Sequence, residues 1–143
     1  MNDLLFEALE KAIVARADSQ LWDINNPLFM FPAQNEAVGN LVLTVENNEI
    51  TVEVGRIYHR HSLPATSASV QQNVAIIVEE TLYFVNQLFE NELIMYVGLD
   101  NEKVLTSGSF HLSHLPNFKI ESTISYHFYH WSGHIFSTKQ NTR

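Results

Sequence analysis

At 143 residues the chain has the length of one domain, spanning 1–143, and can bury roughly two thirds of the surface its unfolded form exposes. It contains no cysteine, which excludes a disulfide framework, thiolate zinc and thiol nucleophiles and accords with a reducing compartment. Eight basic residues against sixteen acidic ones leave a net charge of −8, which repels nucleic-acid backbones and anionic membranes at long range and attracts cationic partners.

The first seventeen residues carry Asp3, Glu7 and Glu10 among apolar positions. They lack the basic start and unbroken apolar stretch of a secretory leader. No apolar run of about 18 residues follows, so the expectation is a soluble cytoplasmic protein. Within that segment Leu5, Ala8, Leu9, Ala12 and Ile13 recur at helical spacing and predict a helix over about 3–17, with Asn2 or Asp3 as its N-cap. From 18 to 40 the periodicity fails, and Pro27, Pro32, Trp22, Phe29 and Phe31 read as a long, partly packed loop.

Leu41, Leu43 and Val45 alternate up to Glu46-Asn47-Asn48-Glu49, and Ile50, Val52 and Val54 alternate after it. That pattern predicts a hairpin with an Asn-rich tight turn. Its second strand is expected to continue through Ile57 to His61 and to end at Pro64. Ser67 or Ser69 can cap a second helix whose stripe is Val70, Val74, Ile77, Val78, Thr81, Leu82, Val85 and Leu88,.

Three strands are predicted beyond it, over about 92–99, 103–112 and 119–131, separated by Asp100-Asn101 and by Pro116,. In the last, Ile120, Ile124, Tyr126 and Phe128 share the expected buried face,. Residues 137–143 read as a frayed tail. The order α-β-β-α-β-β-β predicts an α+β two-layer sandwich, with an antiparallel sheet of about five strands and two helices on one of its faces.

Seven histidines fall into His59-x-His61, His111-x-x-His114 and His127-x-x-His130-x-x-x-His134. A His-x-His pair on a strand places both rings on one face about 7 Å apart, and a third imidazole from the last strand could complete a zinc shell. This makes a small histidine-based, metal-dependent hydrolase the alternative reading. A hydrogen-bonded imidazole on the polar face of a sheet explains the same pattern more simply, and no helical His-Glu-x-x-His pair is present. A metal-free nuclease using His59, His61 and Lys119 as acid and base conflicts with the acidic charge. The chain has no Gly-x-Ser-x-Gly elbow, and its isolated glycines form no phosphate loop. No catalytic residue, metal ligand or cofactor is assigned.

Acid gathers at Glu79-Glu80, at Glu90 and Glu92, and at Asp100 and Glu102. The first four belong to the outer face and C-terminal end of the second helix. A carboxylate at a helix C-terminus opposes the dipole, at a cost from a few tenths to about 1 kcal/mol. A cationic partner docking there would turn that mismatch into steering.

Two stretches carry a likeness to a known family: 50–62 (ITVEVGRIYHRHS) and 130–133 (HWSG). With the helix and hairpin between them, they resemble bacterial immunity proteins of polymorphic or contact-dependent growth-inhibition toxin systems. In that family an aromatic-His-x-His strand end precedes a helix, and a Trp-Ser-Gly element closes the sheet. His59 and His61 match the first element, and Trp131, Ser132 and Gly133 match the second; Ser62 departs from the acidic or aromatic residue that often follows. The resemblance covers about two thirds of the chain and implies a non-enzymatic protein. Such a protein binds and neutralises the C-terminal domain of a cognate toxin, often a nuclease, in the cytoplasm. Trp131 and Gly133 have the chemistry of structural residues. The expected contacts to a basic toxin domain are the acids above together with Trp22, Asp23, Phe29 and Phe31 of the 18–40 loop.

Overall fold

A computed structural model of the chain describes residues 1–65 and 68–141. The chain is α+β. Helix α1 (Asn2–Val14) buries Leu5, Leu9 and Ile13 completely, the stripe that its spacing predicts. Its cap differs from expectation: Met1 is the N-cap residue, with no side-chain cap bond. Asn2 Oδ1 instead accepts from the Asn48 N–H at 2.7 Å, tying the helix to a distant turn. The helix also ends earlier than expected. Beyond it Arg16 donates to Asp18 Oδ1 at 3.0 Å and to Asn86, and lies over the Phe89 ring, fastening the exit of α1 to the second helix.

The 18–40 stretch is not a loop throughout. It holds strands β1 (Asp23–Asn25) and β2 (Leu28–Phe31), paired antiparallel. These strands are too short to show an alternating pattern in sequence, and the pairing with β3 (Leu41–Glu46) makes them a sheet. The predicted hairpin joins β3 to β4 (Glu49–Val54) through Asn47 and Asn48. Both asparagines have positive φ, 53° and 61°, the two-residue turn that matches the twist of a hairpin.

The chain then reverses at Gly55-Arg56-Ile57, where Ile57 N–H donates to Val54 O. The Tyr58–Ser62 stretch is therefore a separate edge strand, β5, antiparallel to β4. It does not continue β4. The turn needs glycine: Gly55 has φ +53°, and an added Cβ would fall 1.9 Å from Val38 O.

The five strands lie in the order β1-β2-β3-β4-β5. Their inward residues, including Phe29, Leu41, Leu43, Ile50, Val52 and Val54, pack against α1 and α2 (Val70–Phe89) in one core. This is the predicted helix-on-sheet layering. Helix α2 starts with a complete capping box: Gln72 N–H donates to Ser69 Oγ at 3.2 Å, and Ser69 N–H to Gln72 Oε1 at 3.0 Å. The other expected cap, Ser67, lies outside the described residues. Ser69→Ala is expected to cost about 1 kcal/mol, read as a lower urea midpoint at unchanged slope; an unchanged midpoint would discount the cap.

The C-terminal strands do not join this sheet, as the single-sheet expectation required. β6 (Leu93–Asp100), β7 (Lys103–His111), β8 (Ser125–His130) and β9 (Gly133–Ser137) form a second antiparallel sheet in the order β7-β6-β8-β9. The reason lies in β6, where Leu93, Ile94 and Met95 are buried in succession, so that both of its faces need apolar cover. Leu93 and Met95 enter the main core. Ile94 faces a smaller one, with Tyr126 and Phe128 packed under Phe110, Leu115 and Phe118.

The predicted strand over 119–131 begins only at Ser125, and Ile120 is 52% exposed rather than buried. The β6–β7 turn sits one residue later than expected, at Asn101 and Glu102, both with positive φ. The tail is held rather than frayed as far as it is described. Ser137 closes β9, Thr138 N–H donates to Tyr126 O, and Asn141 N–H donates to Ser122 O. Residues 142–143 lie outside the described residues. Among the described residues no helix is long and apolar enough to cross a membrane.

Candidate functional site

Side chains alternate along each strand, and the register of β1 to β5 therefore fixes what the helix-free face of the first sheet presents. Asp23 sits opposite Met30, Glu46 opposite Glu49, Thr51 opposite His61, and Glu53 opposite His59. All of them point away from the core residues that flank them in the chain. Asp23, Glu46, Glu53, His59 and His61 are exposed, and Leu28 is 37% exposed beside them. No lysine or arginine points outward from these five strands, since Arg60 turns inward and lies 5.2 Å over the Phe84 ring.

This face concentrates negative charge on strands that carry no outward lysine or arginine, and the exposed Arg56 of the β4–β5 turn shares a cleft with Glu53 at its edge. Glu46 and Glu49 are directly opposed across the hairpin, a like-charge pairing that costs up to about 1 kcal/mol. His61 relieves part of it: Nδ1 lies 2.7 Å from Glu49 Oε1 and 3.0 Å from Thr51 Oγ1. A carboxylate only accepts, so Nδ1 carries the proton in that contact. The His59 and His61 rings are 5.8 Å apart and perpendicular. At the foot of β5 a cleft of about 340 Å³ opens between the two sheets, where Glu53, Arg56 and His59 meet Val97 and Ser107. The 50–62 motif therefore supplies both a row of the acidic face and one wall of the cleft.

The acids expected to form one patch are not together. Glu79 and Glu80 are exposed on the outer side of α2, and Glu90 is its C-cap residue, roughly 16 Å further along at the helical rise,. Glu92 is half-buried, 4.0 Å from His111 Nε2. Asp100 and Glu102 stand at the far end of β6, roughly 26 Å from Glu92 at the rise of a strand,. Asp100 accepts from Gln140 Nε2 at 3.0 Å.

Of the loop residues expected to anchor a partner, only Asp23 is exposed. Trp22, Phe29 and Phe31 are 7%, 0% and 8% exposed and belong to the main core. Their rings pack against Phe89 and Phe6 instead of facing solvent. Trp22 Nε1 is buried without a hydrogen-bond partner among the described residues.

In the second motif, Trp131 is 3% exposed and Ser132 is exposed, its N–H donating to Asn91 Oδ1 at 3.2 Å. Gly133 has φ +144°, with the Asn35 side chain 3.0 Å from where a Cβ would sit. Trp131 is thus part of the main core, and Gly133 holds a backbone conformation that L side chains rarely adopt.

The histidines do not gather as the metal-hydrolase reading required. His59 and His61 are on the first sheet, while His127, His130 and His134 are on the second. Among the described residues no three His, Asp or Glu side chains converge on one point. Sequence reasoning missed Glu46, Glu49 and Glu53 as one surface with His59 and His61. The signal was present in the strict alternation of 41–54, but it needed β5 folded back beside β4. Compared with known proteins, the chain matches no family model, no curated protein and no solved structure.

Proposed function

We propose that this chain is an immunity protein that binds a basic toxin domain stoichiometrically and blocks it, doing no chemistry of its own. The observation that carries the reading is the outward face of the five-stranded sheet, where Asp23, Glu46, Glu49 and Glu53 stand with no outward lysine or arginine. A rigid sheet presents these carboxylates without the ordering cost of a loop. The opposed Glu46–Glu49 pair gains most when a cation arrives between them. A net charge of −8 adds long-range steering toward a basic surface. The family likeness in 50–62 and 130–133 points the same way, and its first stretch supplies one row of this face. A nuclease domain, which must itself be cationic to hold its substrate, is the partner class that fits, met in the cytoplasm.

The test is protection. The chain is co-expressed with the C-terminal domain of the toxin encoded beside it, and growth and complex formation are followed. Rescue with a one-to-one complex is expected; continued killing with no complex would remove the proposal. Within the complex, Glu46→Lys with Glu53→Lys is expected to slow association at low salt by about tenfold or more. An equal on-rate for that variant would refute this face as the docking surface.

A further inference from the structure

The β8–β9 hairpin carries a second arrangement that binding by the acidic face does not use. His134 and Ser137 are three residues apart, a spacing that places side chains on opposite sides of a regular strand. Here the register shifts between Phe128 and Tyr129: Ser137 pairs with His127 and His134 with Tyr129, leaving Ile135 as the unpaired extra residue. This bulge turns His134 and Ser137 to the same side, one of the uses to which bulges are put at functional sites.

Two imidazoles then converge on one oxygen. His127 Nδ1 lies 2.6 Å and His134 Nε2 2.7 Å from Ser137 Oγ. The His134 ring is held edge-on by Tyr129, with ring centroids 5.4 Å apart. His134 and Ser137 are exposed and His127 is half-buried, so the point of convergence opens to solvent.

We propose that this point is a binding site for a divalent first-row transition ion of the zinc class, with His127 Nδ1 and His134 Nε2 as its protein ligands. Imidazole nitrogen suits such ions. A zinc–nitrogen bond of about 2.0–2.1 Å needs each nitrogen to close by about 0.6 Å on the position now held by the hydroxyl. The Ser137 side chain, being exposed, rotates out of the way, and water completes the shell. One hydroxyl proton can serve only one of the two nitrogens, so the other ring now donates an N–H. That ring moves its proton to its remaining nitrogen when the ion enters, with no net proton change. The bound ion links β8 to the edge strand β9.

Zinc chloride titrated into the full chain, followed by calorimetry and by histidine-ring NMR, tests the site. One zinc per chain is expected, with the His127 and His134 ring signals moving together and the melting temperature rising. His127→Asn or His134→Asn should weaken binding by more than the roughly 10- to 100-fold that loss of an outer-shell partner costs. Ser137→Ala and the double variant His59→Asn/His61→Asn should keep it. Equal affinity in the His127→Asn/His134→Asn double variant would overturn the assignment. So would wild-type ring shifts confined to the other histidines, a readout that requires no variant to fold.

Discussion

Gly55→Ala is expected to cost about 3–5 kcal/mol, because two penalties fall on one atom. The residue holds φ +53°, where an L side chain is strained, and the new Cβ would sit 1.9 Å from Val38 O and 3.0 Å from Gly39 Cα. Neither obstacle is the flexible end of a side chain. Gly39, itself at φ +92°, approaches so closely that a Cβ there would fall 2.6 Å from Gly55 Cα. The two glycines thus form a backbone-to-backbone contact that fixes the β4–β5 turn. A domain of this size has roughly 5–15 kcal/mol in all, so the variant loses a large share of its stability. Urea denaturation measures the loss, and a cost below about 1 kcal/mol would show that the turn relaxes freely. The consequence reaches the proposed function, since this turn brings His61 alongside Glu49.

Trp131→Ala is the second large effect, at about 3–5 kcal/mol. The ring is 3% exposed and packs against Phe89 at 5.3 Å and Phe31 at 6.2 Å between centroids. Phe31 belongs to the first sheet, Phe89 ends α2, and Trp131 turns the second sheet from β8 to β9. One side chain therefore joins three elements. Its removal leaves a void at their junction that a buried backbone does not fill by collapse. Trp131→Phe keeps part of the packing and is expected to lose clearly less than Trp131→Ala. Equal losses would mean that the cost comes from something other than the void.

Much of the fold was legible locally. The 3.6-residue spacing of Leu5, Leu9 and Ile13, the Ser69 cap and the alternation around Asn47-Asn48 each carry their instruction within a few residues, through sterics and hydrogen bonds that neighbours supply. What failed needed partners far along the chain. Trp22, Phe29 and Phe31 look like interface anchors in a proline-containing stretch, and they become core because β2 finds β3. The expected acidic patch came from proximity in sequence, which a 20-residue helix and an 8-residue strand convert into distance.

The 50–62 motif shows the division most sharply. Local alternation puts Glu49, Thr51 and Glu53 on one face of their strand and His59 and His61 on one face of theirs, because a strand's period is two. Read as one extended strand, Glu49 and His61 would be roughly 40 Å apart. The turn at Gly55 brings them to 2.7 Å. That proximity arises in the folded chain alone, because the reversal depends on Val38 and Gly39 leaving no room for a side chain at residue 55. The same holds at β9, where a bulge that no local pattern announces sets His134 and Ser137 on the side of His127. Periodicity assigns faces; chain reversal and register assign neighbours, and both proposed sites are made of neighbours.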